Sequence, residues 1–533
     1  MCVFGAGCVA SIGSGGAGGS TATGGTNGSG KGGSTGSGGS ATGGSNSAGG
    51  GGGSARGGST GTGGVLTTGS GGSRASGGST GSGGGASGGS TGSGGSGSGS
   101  CTVTVMSAMT SSKIPTVGIV TFTTSMSNPT EAHIDFGLDT TYGMTAPVDL
   151  TQPSYRTLLL GMKASKTYHF RVVATNGGTS CSAADATIMT GALPNGLLPK
   201  LTVTNSNKSA LFGGFLITSQ FQGGALTASA PAYIIDADGD YVWWYTDTVT
   251  QMTGARMSYD GNYMWLNNAN VPTGTAQVHK VTMDGATDAD FSTAFKGANH
   301  QITPLPDGSV AFYAYGSNGC DDIKLFPANG TTNSSAMTVV NSRTAHGGNG
   351  ACHINNIQYV PDDDTLVFSD LDNVCITKVT KTGSTVWVLN GGIGGTTNTF
   401  TGDTWAGGQH GIDVLGMNDF LIFNNNSSSG MNPAGGGSAG SGNGSVAIEM
   451  KVDPATKKAT KAWSYKSSAG IQVDIMGDLQ RLPNGNTVVG YSTKGELQEI
   501  DSSGNVLQDI KWPAGTSFGY IENRQTLYGK PTR

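Results

Sequence analysis

Three of the seven histidines in the chain stand in nearly the same context, each just ahead of an apolar, strand-like run. His300 precedes ITPLPDG, His353 opens INNIQYVPDDD, and His410 precedes IDVLGMND. Converging neutral imidazoles could bind a transition metal such as zinc, copper or iron. They could also supply a nucleophile and acid–base groups to an anionic substrate. His279 and His346 lack this context, and we predict surface or loop positions for both.

The elements that must position these histidines form a repeat over residues 198–533. Its first half is an apolar strand with an Asp-Gly or Asn-Gly turn, as in ITPLPDGSVAFYAY and LQRLPNGNTVVGYS. Its second half is another hairpin that often ends on tryptophan, as in IIDADGDYVWWY and VTKTGSTVWVL. Such turns allow positive φ at low cost. Units of about four strands, repeated every 40–60 residues or so, are typical of a β-propeller. We count six units and predict an all-β fold with a six-bladed β-propeller.

The three histidines occupy equivalent positions in the repeat unit. Each opens the innermost strand of its predicted blade, on blades three, four and five, and that end of the inner strands converges on the central channel. Gly477 occupies the equivalent position on blade six, so the repeat itself does not require a histidine there. We therefore predict that His300, His353 and His410 form one shared site.

Residues 101–195 have a different pattern, in which short alternating runs such as VGIVTFTTS and TYHFRVVATN are separated by turn residues. This pattern predicts a β-sandwich. The phrase LLLGMKASKTYHFRVVATNGG resembles the fibronectin type III family, with Tyr168 at its corner tyrosine. Cys101 and Cys181 could form a disulfide bond in this module.

Residues 1–100 consist almost entirely of Gly, Ser and Thr, and this composition predicts a disordered tether. Three of the 28 Lys and Arg lie in the tether, as Lys31, Arg56 and Arg74, and none of the 33 Asp and Glu does. The folded remainder is therefore acidic, which argues against a nucleic-acid partner.

The first residues, MCVFGAGCVA, contain a possible lipidation signal. Gly5-Ala6-Gly7-Cys8 resembles the end of a bacterial lipoprotein signal, although the basic and apolar regions of such a signal are not in front of it. We expect an exported bacterial protein, anchored by a lipid on Cys8 at the cell surface or held in the periplasm. The alternative is an ordinary free cysteine on a flexible tail.

Residues 353–392, together with QHGIDVLGMNDFLIFNNN, resemble the bacterial arylsulfate sulfotransferase family. The resemblance implies a six-bladed propeller that moves a sulfuryl group from an aryl sulfate to a phenolic acceptor, without a nucleotide or other cofactor and without a metal. His410 matches the family's nucleophile, which becomes a sulfohistidine. His300 and His353 match the histidines that hold the sulfuryl oxygens and exchange a proton with the phenol. Asn355 matches a polar contact to the same oxygens.

One position departs from that family. Leu371 stands where the family has an arginine, and Asp370 and Asp372 flank it. Losing a charged clamp costs about 2–4 kcal/mol of transition-state stabilisation, unless another arginine reaches the channel; the candidates are Arg256, Arg343 and Arg524. The alternative function is a non-catalytic, surface-tethered propeller that binds a glycan, a protein or a metal.

Next to His353 lies Cys352, and Cys320 ends a strand of the preceding blade. The two cysteines are predicted to form a local disulfide bond rather than to provide a catalytic thiol.

Overall fold

The computed structural model of the chain describes residues 101–531, with gaps at 223–229, 247–248, 250–251, 269–274, 317, 349–350, 392–396 and 428–439. The predicted tether at 1–100 and the cysteine at position 8 lie outside the described residues. Within the described part of the chain, no helix is both long enough and apolar enough to span a membrane.

Residues 103–189 form two antiparallel sheets packed face to face. The strands are β1 (Val103–Thr110), β2 (Gly118–Thr124), β3 (Glu131–Gly137), β4 (Met144–Pro147), β5 (Thr157–Leu159), β6 (Thr167–Asn176), β7 (Thr179–Ser182) and β8 (Ala186–Met189). One sheet has the order β1-β2-β5, and the other has the order β4-β3-β6-β7, with β8 also paired to β6. The 3₁₀ turn Pro153–Tyr155 leads into β5. The segment is therefore a β-sandwich.

Alternation along the strands builds the sandwich core. In β6, every second side chain from Tyr168 to Ala174 is buried, and the ones between are partly exposed. The hydroxyl of Tyr168 accepts a hydrogen bond from the backbone N–H of Lys163 at 2.9 Å, which is the geometry of a tyrosine corner. A disulfide bond joins Cys101 to Cys181, as predicted.

The rest of the described chain is a ring of sheets. Its strands are β9 (Thr202–Asn205), β10 (Phe215–Gln222), β11 (Ala232–Asp236), β12 (Tyr241–Tyr245), β13 (Met252–Met257), β14 (Tyr263–Asn268), β15 (Val278–Thr282), β16 (Asp288–Asp290), β17 (Ala298–Pro304), β18 (Val310–Tyr315), β19 (Asp321–Phe326), β20 (Met337–Asn341), β21 (Ile354–Val360), β22 (Thr365–Asp370), β23 (Cys375–Thr380), β24 (Thr385–Asn390), β25 (Thr401–Gly402), β26 (Gln409–Gly416), β27 (Asp419–Asn424), β28 (Val446–Asp453), β29 (Lys458–Lys466), β30 (Asp478–Arg481), β31 (Thr487–Tyr491), β32 (Glu496–Ile500), β33 (Val506–Lys511), β34 (Ser517–Phe518) and β35 (Glu522–Arg524). The helix α1 (Ser342–His346) follows β20, and 3₁₀ turns occur at Lys208–Ala210 and Ser492–Lys494.

These strands make six sheets of four or five strands in the described part of the chain. Blade one is β12-β11-β10 with β34 and β35, and blades two, three and four are β13–β16, β17–β20 and β21–β24. Blade five is β25-β29-β28-β27-β26, and blade six is β30–β33 with β9. The prediction of an all-β chain with a six-bladed propeller is confirmed.

The ring closes through both ends of the propeller sequence. β34 and β35 pair with β10 at the channel side of blade one, and β9 pairs with β33 at the outer edge of blade six. Next to this closure, the side-chain oxygen Oε1 of Gln480 on β30 accepts a hydrogen bond from the backbone N–H of Asn523 at 2.7 Å. The first blade is thus completed by residues about 300 positions away in sequence, which fixes the ring at six blades.

The hydrophobic core lies between neighbouring blades. Phe295, Phe312 and Phe326 pack with Trp265 between blades two and three. Trp387 packs against Phe420 between blades four and five. Each blade therefore buries both of its faces, and this burial holds the inner strands, with their histidines, in fixed positions.

The sandwich shares a core with blades one and two. Ile114, Val117 and Leu160 of the sandwich belong to the same buried cluster as Trp243 and Met264 of the propeller. Polar contacts surround this cluster. In one of them, the Lys163 ammonium lies 2.7 Å from a carboxylate oxygen of Asp238 and 2.7 Å from one of Asp240. The two modules are joined by a packed interface.

Candidate active site

The structure brings the three predicted histidines together at one end of the propeller channel. His300 is the third residue of β17, His353 immediately precedes β21, and His410 is the second residue of β26. The imidazole rings of His300 and His353 have centroids 5.3 Å apart. His410 is close enough to both rings to couple with them electrostatically. The three histidines, which occupy equivalent positions in the repeat, therefore form one cluster.

His410 is buried and held by Asn425 across its hairpin. Nδ1 of His410 lies 2.6 Å from Oδ1 of Asn425. The amide nitrogen of Asn425 donates to the backbone oxygens of Val473 at 3.0 Å and Met476 at 2.9 Å, so its oxygen must face the imidazole. An amide oxygen can only accept, and Nδ1 of His410 therefore carries the proton. The second nitrogen, Nε2, is left with its lone pair.

His300 has a similar partner but an unusual backbone. Its Nδ1 lies 2.6 Å from Oδ1 of Asn299, whose nitrogen Nδ2 donates to the Tyr315 hydroxyl at 2.7 Å. His300 has φ +49° and sits in a β-bulge, where its carbonyl accepts hydrogen bonds from Thr253 and Asn267. Positive φ is uncommon outside glycine, and strained residues of this kind occur often at functional sites.

All three imidazoles favour the neutral form. Burial, supported by the neighbouring histidine rings, lowers the pKa of His300 well below its usual range. Burial also lowers the pKa of His410 to about 4, although its hydrogen bond to Asn425 acts in the other direction. The pKa of His353 is lowered by burial as well, and the Asp370 carboxylate opposes this change. At neutral pH the cluster offers uncharged imidazole nitrogens.

Among the described residues, carboxylates lie closer to His353 than to the rings of His300 and His410. The backbone N–H of His353 donates to Oδ1 of Asp370 at 3.1 Å, and Nδ1 of its ring lies 4.0 Å from Oδ1 of Asp372. Burial, with a contribution from Asp370, raises the pKa of Asp372 to about 7. His353 is therefore the histidine of the cluster that has an acidic partner.

Leu371, at the position of the family's arginine, is part of the packing around the site. It is 3% exposed, its N–H donates to the carbonyl of His353 at 2.8 Å, and its Cδ1 lies against Gly408. A Cβ on Gly408 would be 2.8 Å from this Cδ1, and Gly408 has φ +78°. The leucine thus connects the turn after β22 to the segment that leads into His410.

The predicted positions of two other histidines are wrong. His346 ends α1 and is fully buried, with Nε2 3.0 Å from Oδ2 of Asp370. Its Nδ1 accepts a hydrogen bond from the N–H of Gly348 at 3.1 Å, so the proton is on Nε2. His279 is also buried, 2.8 Å from Asp288. Each imidazole avoids the surface because a carboxylate satisfies it inside the protein.

Asn355 lies in β21 and is fully buried. Its Nδ2 donates to the carbonyl of Gln409 at 2.6 Å, and its Oδ1 has no hydrogen-bond partner among the described residues. The backbone oxygen of Asn355 accepts a hydrogen bond from the Tyr520 hydroxyl. One amide hydrogen of Asn355 is therefore committed to holding the residue that precedes His410.

Two of the alternative arginines face the opposite end of the channel. Arg256 and Arg524 line a cavity of about 280 Å³ together with the final residues of β17 and β21, whereas the histidines stand at the beginnings of these strands. Arg256 donates to the carbonyl of Ile521 at 2.6 Å and lies 3.5 Å from Asp478. Arg524 donates to Glu522 at 2.6 Å. The third candidate, Arg343, lies on α1.

The histidine cluster is not arranged as a preformed metal site. In the described part of the chain, the groups of three His, Cys, Asp or Glu side chains with ligand atoms within 4.8 Å of one another are His346–Cys352–Asp370 and Asp236–Asp238–Asp240. Cys352 is bonded to Cys320, as predicted, and Lys163 occupies the centre of the second group. The three channel histidines do not form such a group among the described residues.

Comparison with known proteins gives one family and several structures. Residues 320–512 match the model of the arylsulfotransferase (ASST) family. No curated protein matches the sequence. TolB from Acinetobacter baumannii is 13% identical with a TM-score of 0.37, over 68% of this chain and 81% of its own. The β-propeller domain of Cps50 (Swd1) from Myceliophteria thermophila is 8% identical with a TM-score of 0.36, over 61% and 96%. A virginiamycin B lyase from Staphylococcus aureus is 12% identical with a TM-score of 0.33, over 60% and 99%.

TM-scores this low carry no argument about function, and the family match is what bears on it. The matched residues include β19 to β33 and two of the three clustered histidines, His353 and His410. The resemblance seen in the sequence is confirmed over residues 320–512, which match the model of this family.

Proposed function

We propose that this propeller transfers a sulfuryl group from an aryl sulfate to a phenolic acceptor, with His410 as the nucleophile. The observation that carries the proposal is the His410–Asn425 contact, which leaves Nε2 of the buried His410 with its lone pair. A nucleophilic imidazole must be neutral, and burial lowers the pKa of His410 to about 4. His410 therefore has the tautomer and the charge state that the reaction needs.

The transfer proceeds in two balanced displacements. Nε2 of His410 attacks the sulfur, an N–S bond forms, the bond from sulfur to the aryl oxygen breaks, and its electron pair stays on that oxygen. A neighbouring imidazole, which takes up a proton when the anionic donor binds, gives that proton to the oxygen, and the resulting phenol leaves. The acceptor phenol then returns a proton to that imidazole, its oxygen attacks the sulfur, and the N–S electron pair returns to Nε2. Two easier steps replace one difficult displacement.

The remaining cluster residues hold the group during transfer. Negative charge on the three sulfuryl oxygens requires hydrogen-bond donors that are already in place, by analogy with phosphoryl transfer. His300, His353 and Asn355 are assigned this role, in line with the resemblance to the family. Asn355 also sets the backbone at Gln409, which precedes the nucleophile.

The test uses p-nitrophenyl sulfate as donor and phenol as acceptor, with release of nitrophenol and formation of phenyl sulfate both measured. We expect turnover by the wild type and loss by about 10³-fold or more in His410→Asn, which removes the nucleophile. His133→Asn, in the sandwich, is the matched control and should behave as wild type. Release that is equal in His410→Asn and wild type, or no release at all, would contradict the proposal.

A second candidate function is a non-catalytic propeller on a surface tether, which binds a glycan or a protein. The observation that favours it is the packing of Leu371 between Asp370 and Asp372, because an apolar side chain offers no charge to hold an anionic donor at this position. A protein that transfers no sulfuryl group but binds a glycan, measured by calorimetry, would support this second function.

Export and a lipid anchor on the cysteine at position 8 complete the proposal. Two disulfide bonds, Cys101–Cys181 and Cys320–Cys352, support an oxidising compartment, where such bonds form and persist. Mass spectrometry of the protein from its native membrane fraction would detect the acyl chains.

A further inference from the structure

We propose that Asp372 and His353 act as one proton-carrying pair in this transfer. The inference rests on the proposed sulfuryl transfer and assigns its proton step to one histidine. His353 is then a catalytic residue, and Asp372 is a positioning residue that acts through it.

The geometry singles out His353 among the three imidazoles. Nδ1 of His410 and Nδ1 of His300 face the amide oxygens of Asn425 and Asn299, which are neutral acceptors. Nδ1 of His353 instead faces the Asp372 carboxylate at 4.0 Å. A neutral amide fixes a tautomer, whereas a carboxylate also stabilises the imidazolium. The proposed nucleophile, His410, therefore has a neutral partner, whereas the proposed proton carrier, His353, has an acidic one.

The turn that carries Asp372 is rigidly held. Asp370, at its start, accepts hydrogen bonds from the backbone N–H of Asn373 at 3.1 Å and from its side chain at 2.9 Å. Val374, at its end, has φ +44°, which is costly for a β-branched residue and persists only where the surroundings determine it. The placement of Asp372 beside the imidazole is therefore fixed by its neighbours.

Several charged or titratable groups face the pair from the surrounding elements. They are Asp321 on β19, Asp370 on β22, His346 on α1, His300 on β17 and His410 on β26. Asp370 already accepts hydrogen bonds from His346 and from the backbone of His353, and Asp321 accepts one from the N–H of Ile354 at 2.8 Å. Asp372 is the carboxylate of this group that lies beside the ring nitrogen of His353. The acidic surroundings favour a proton on the pair when an anionic donor arrives.

The proton passes once in each direction. In the first displacement the pair's proton moves from His353 to the aryl oxygen as the bond from sulfur to that oxygen breaks. In the second, the acceptor phenol gives its proton back to His353 as its oxygen attacks the sulfur of the sulfohistidine. Until the proton is delivered in the first displacement, the imidazolium of His353 offsets negative charge near the sulfuryl group. No proton is gained or lost over the full cycle.

The test compares two donors that differ in the leaving group. The aryl oxygen of p-nitrophenyl sulfate leaves readily without a proton, whereas that of phenyl sulfate, the ester of a weaker acid, needs one. With p-cresol as acceptor, we expect Asp372→Asn to lose at least about 10-fold more kcat/KM with phenyl sulfate than with p-nitrophenyl sulfate. We also expect the alkaline limb of the pH–rate profile to move to lower pH, because the imidazolium loses its carboxylate.

Three further variants complete the test. Asp372→Glu should recover part of the lost rate, because it keeps the carboxylate. Asp362→Asn removes an exposed carboxylate from the hairpin tip of the same blade and should match the wild type. Adding Asp372→Asn to His353→Gln should cost nothing more, since the two residues act as one unit. Circular dichroism and thermal melts establish that each variant is folded.

The outcomes separate this inference from the function on which it rests. Equal losses for both donors, with an unchanged pH profile, would overturn the pair and leave sulfuryl transfer standing. If the wild type releases neither phenol, the proposed function and the pair both fail. If Asp372→Asn does not fold, His353→Gln decides alone: a loss that is the same for both donors excludes His353 as the proton carrier.

Discussion

The amide oxygen of Asn425 lies 2.6 Å from Nδ1 of His410, and two backbone carbonyls hold the amide in that orientation. This contact settles which nitrogen of the imidazole is free. It also keeps the partner of the nucleophile neutral, since an asparagine cannot stabilise an imidazolium as a carboxylate does. The buried ring therefore stays uncharged well below neutral pH.

Replacing this partner by a carboxylate should move the pH dependence of the reaction. In Asn425→Asp, the new negative charge raises the pKa of His410 from about 4, by about 1–3 units for such a close partner. The acid limb of kcat/KM then moves to higher pH, and activity at mildly acidic pH falls. The measurement is a pH–rate profile with p-nitrophenyl sulfate. Asn484→Asp, which adds the same charge on an exposed hairpin, is the control and should keep the wild-type profile.

Burial of neutral His410 should also make stability depend on pH. The unfolded histidine titrates near 6.5 or so, whereas the folded one has a pKa of about 4. Between these values the unfolded state binds more protons, so the free energy of unfolding falls as pH decreases through this window, by up to about 3 kcal/mol. Urea unfolding from pH 7 to pH 4 measures the slope. The slope should be shallower in His410→Asn, and identical slopes in both proteins would contradict the argument.

The repeat made much of this architecture predictable. Alternating strands and Asp-Gly or Asn-Gly turns recur in each blade, and this repeat predicted six blades. The equivalent positions of His300, His353 and His410 in the repeat predicted that they converge. The tether and the lipid anchor fall outside the described residues and stay predictions. The roles of the site residues are likewise still proposals.

Other features depend on contacts that no local pattern signals. His346 lies on α1, outside the repeat, and its burial follows from a carboxylate 24 positions away. The partner of His410 is Asn425, beyond the far end of the next strand, and only the hairpin register brings the two together. The ring closure by β34 and β35 joins residues that are remote in sequence. Long-range pairing of this kind has to be seen in three dimensions.

The Cys320–Cys352 disulfide should matter more for activity than for folding. It fixes the residue before His353 to the residue that precedes β19 of the preceding blade, and Cys352 N–H also donates to the carbonyl of Gly319 at 3.2 Å. Small displacements of a catalytic group cost roughly 10²-fold in rate. We expect the double variant Cys320→Ser, Cys352→Ser to lose about that much activity while the propeller stays folded, as shown by circular dichroism.

The second disulfide is the matched comparison. Cys101→Ser with Cys181→Ser should lower stability by about 2–4 kcal/mol, and it should leave kcat/KM unchanged because this bond lies within the sandwich. Equal activity losses in the two double variants would refute a specific role for the bond next to His353.

The shared core predicts that the propeller depends on the sandwich. Ile114, Val117 and Leu160 are buried against blades one and two, and the N–H of Leu160 donates to the Tyr528 hydroxyl at 2.7 Å. Each of these side chains contributes about 1.5–3 kcal/mol when buried, so a protein that begins at residue 198 exposes an apolar patch on the propeller. We expect it to melt at a lower temperature and to aggregate, as measured by calorimetry and light scattering. A protein that begins at residue 99 retains the interface and is the control, and equal melting temperatures for the two would show that the sandwich is only a spacer.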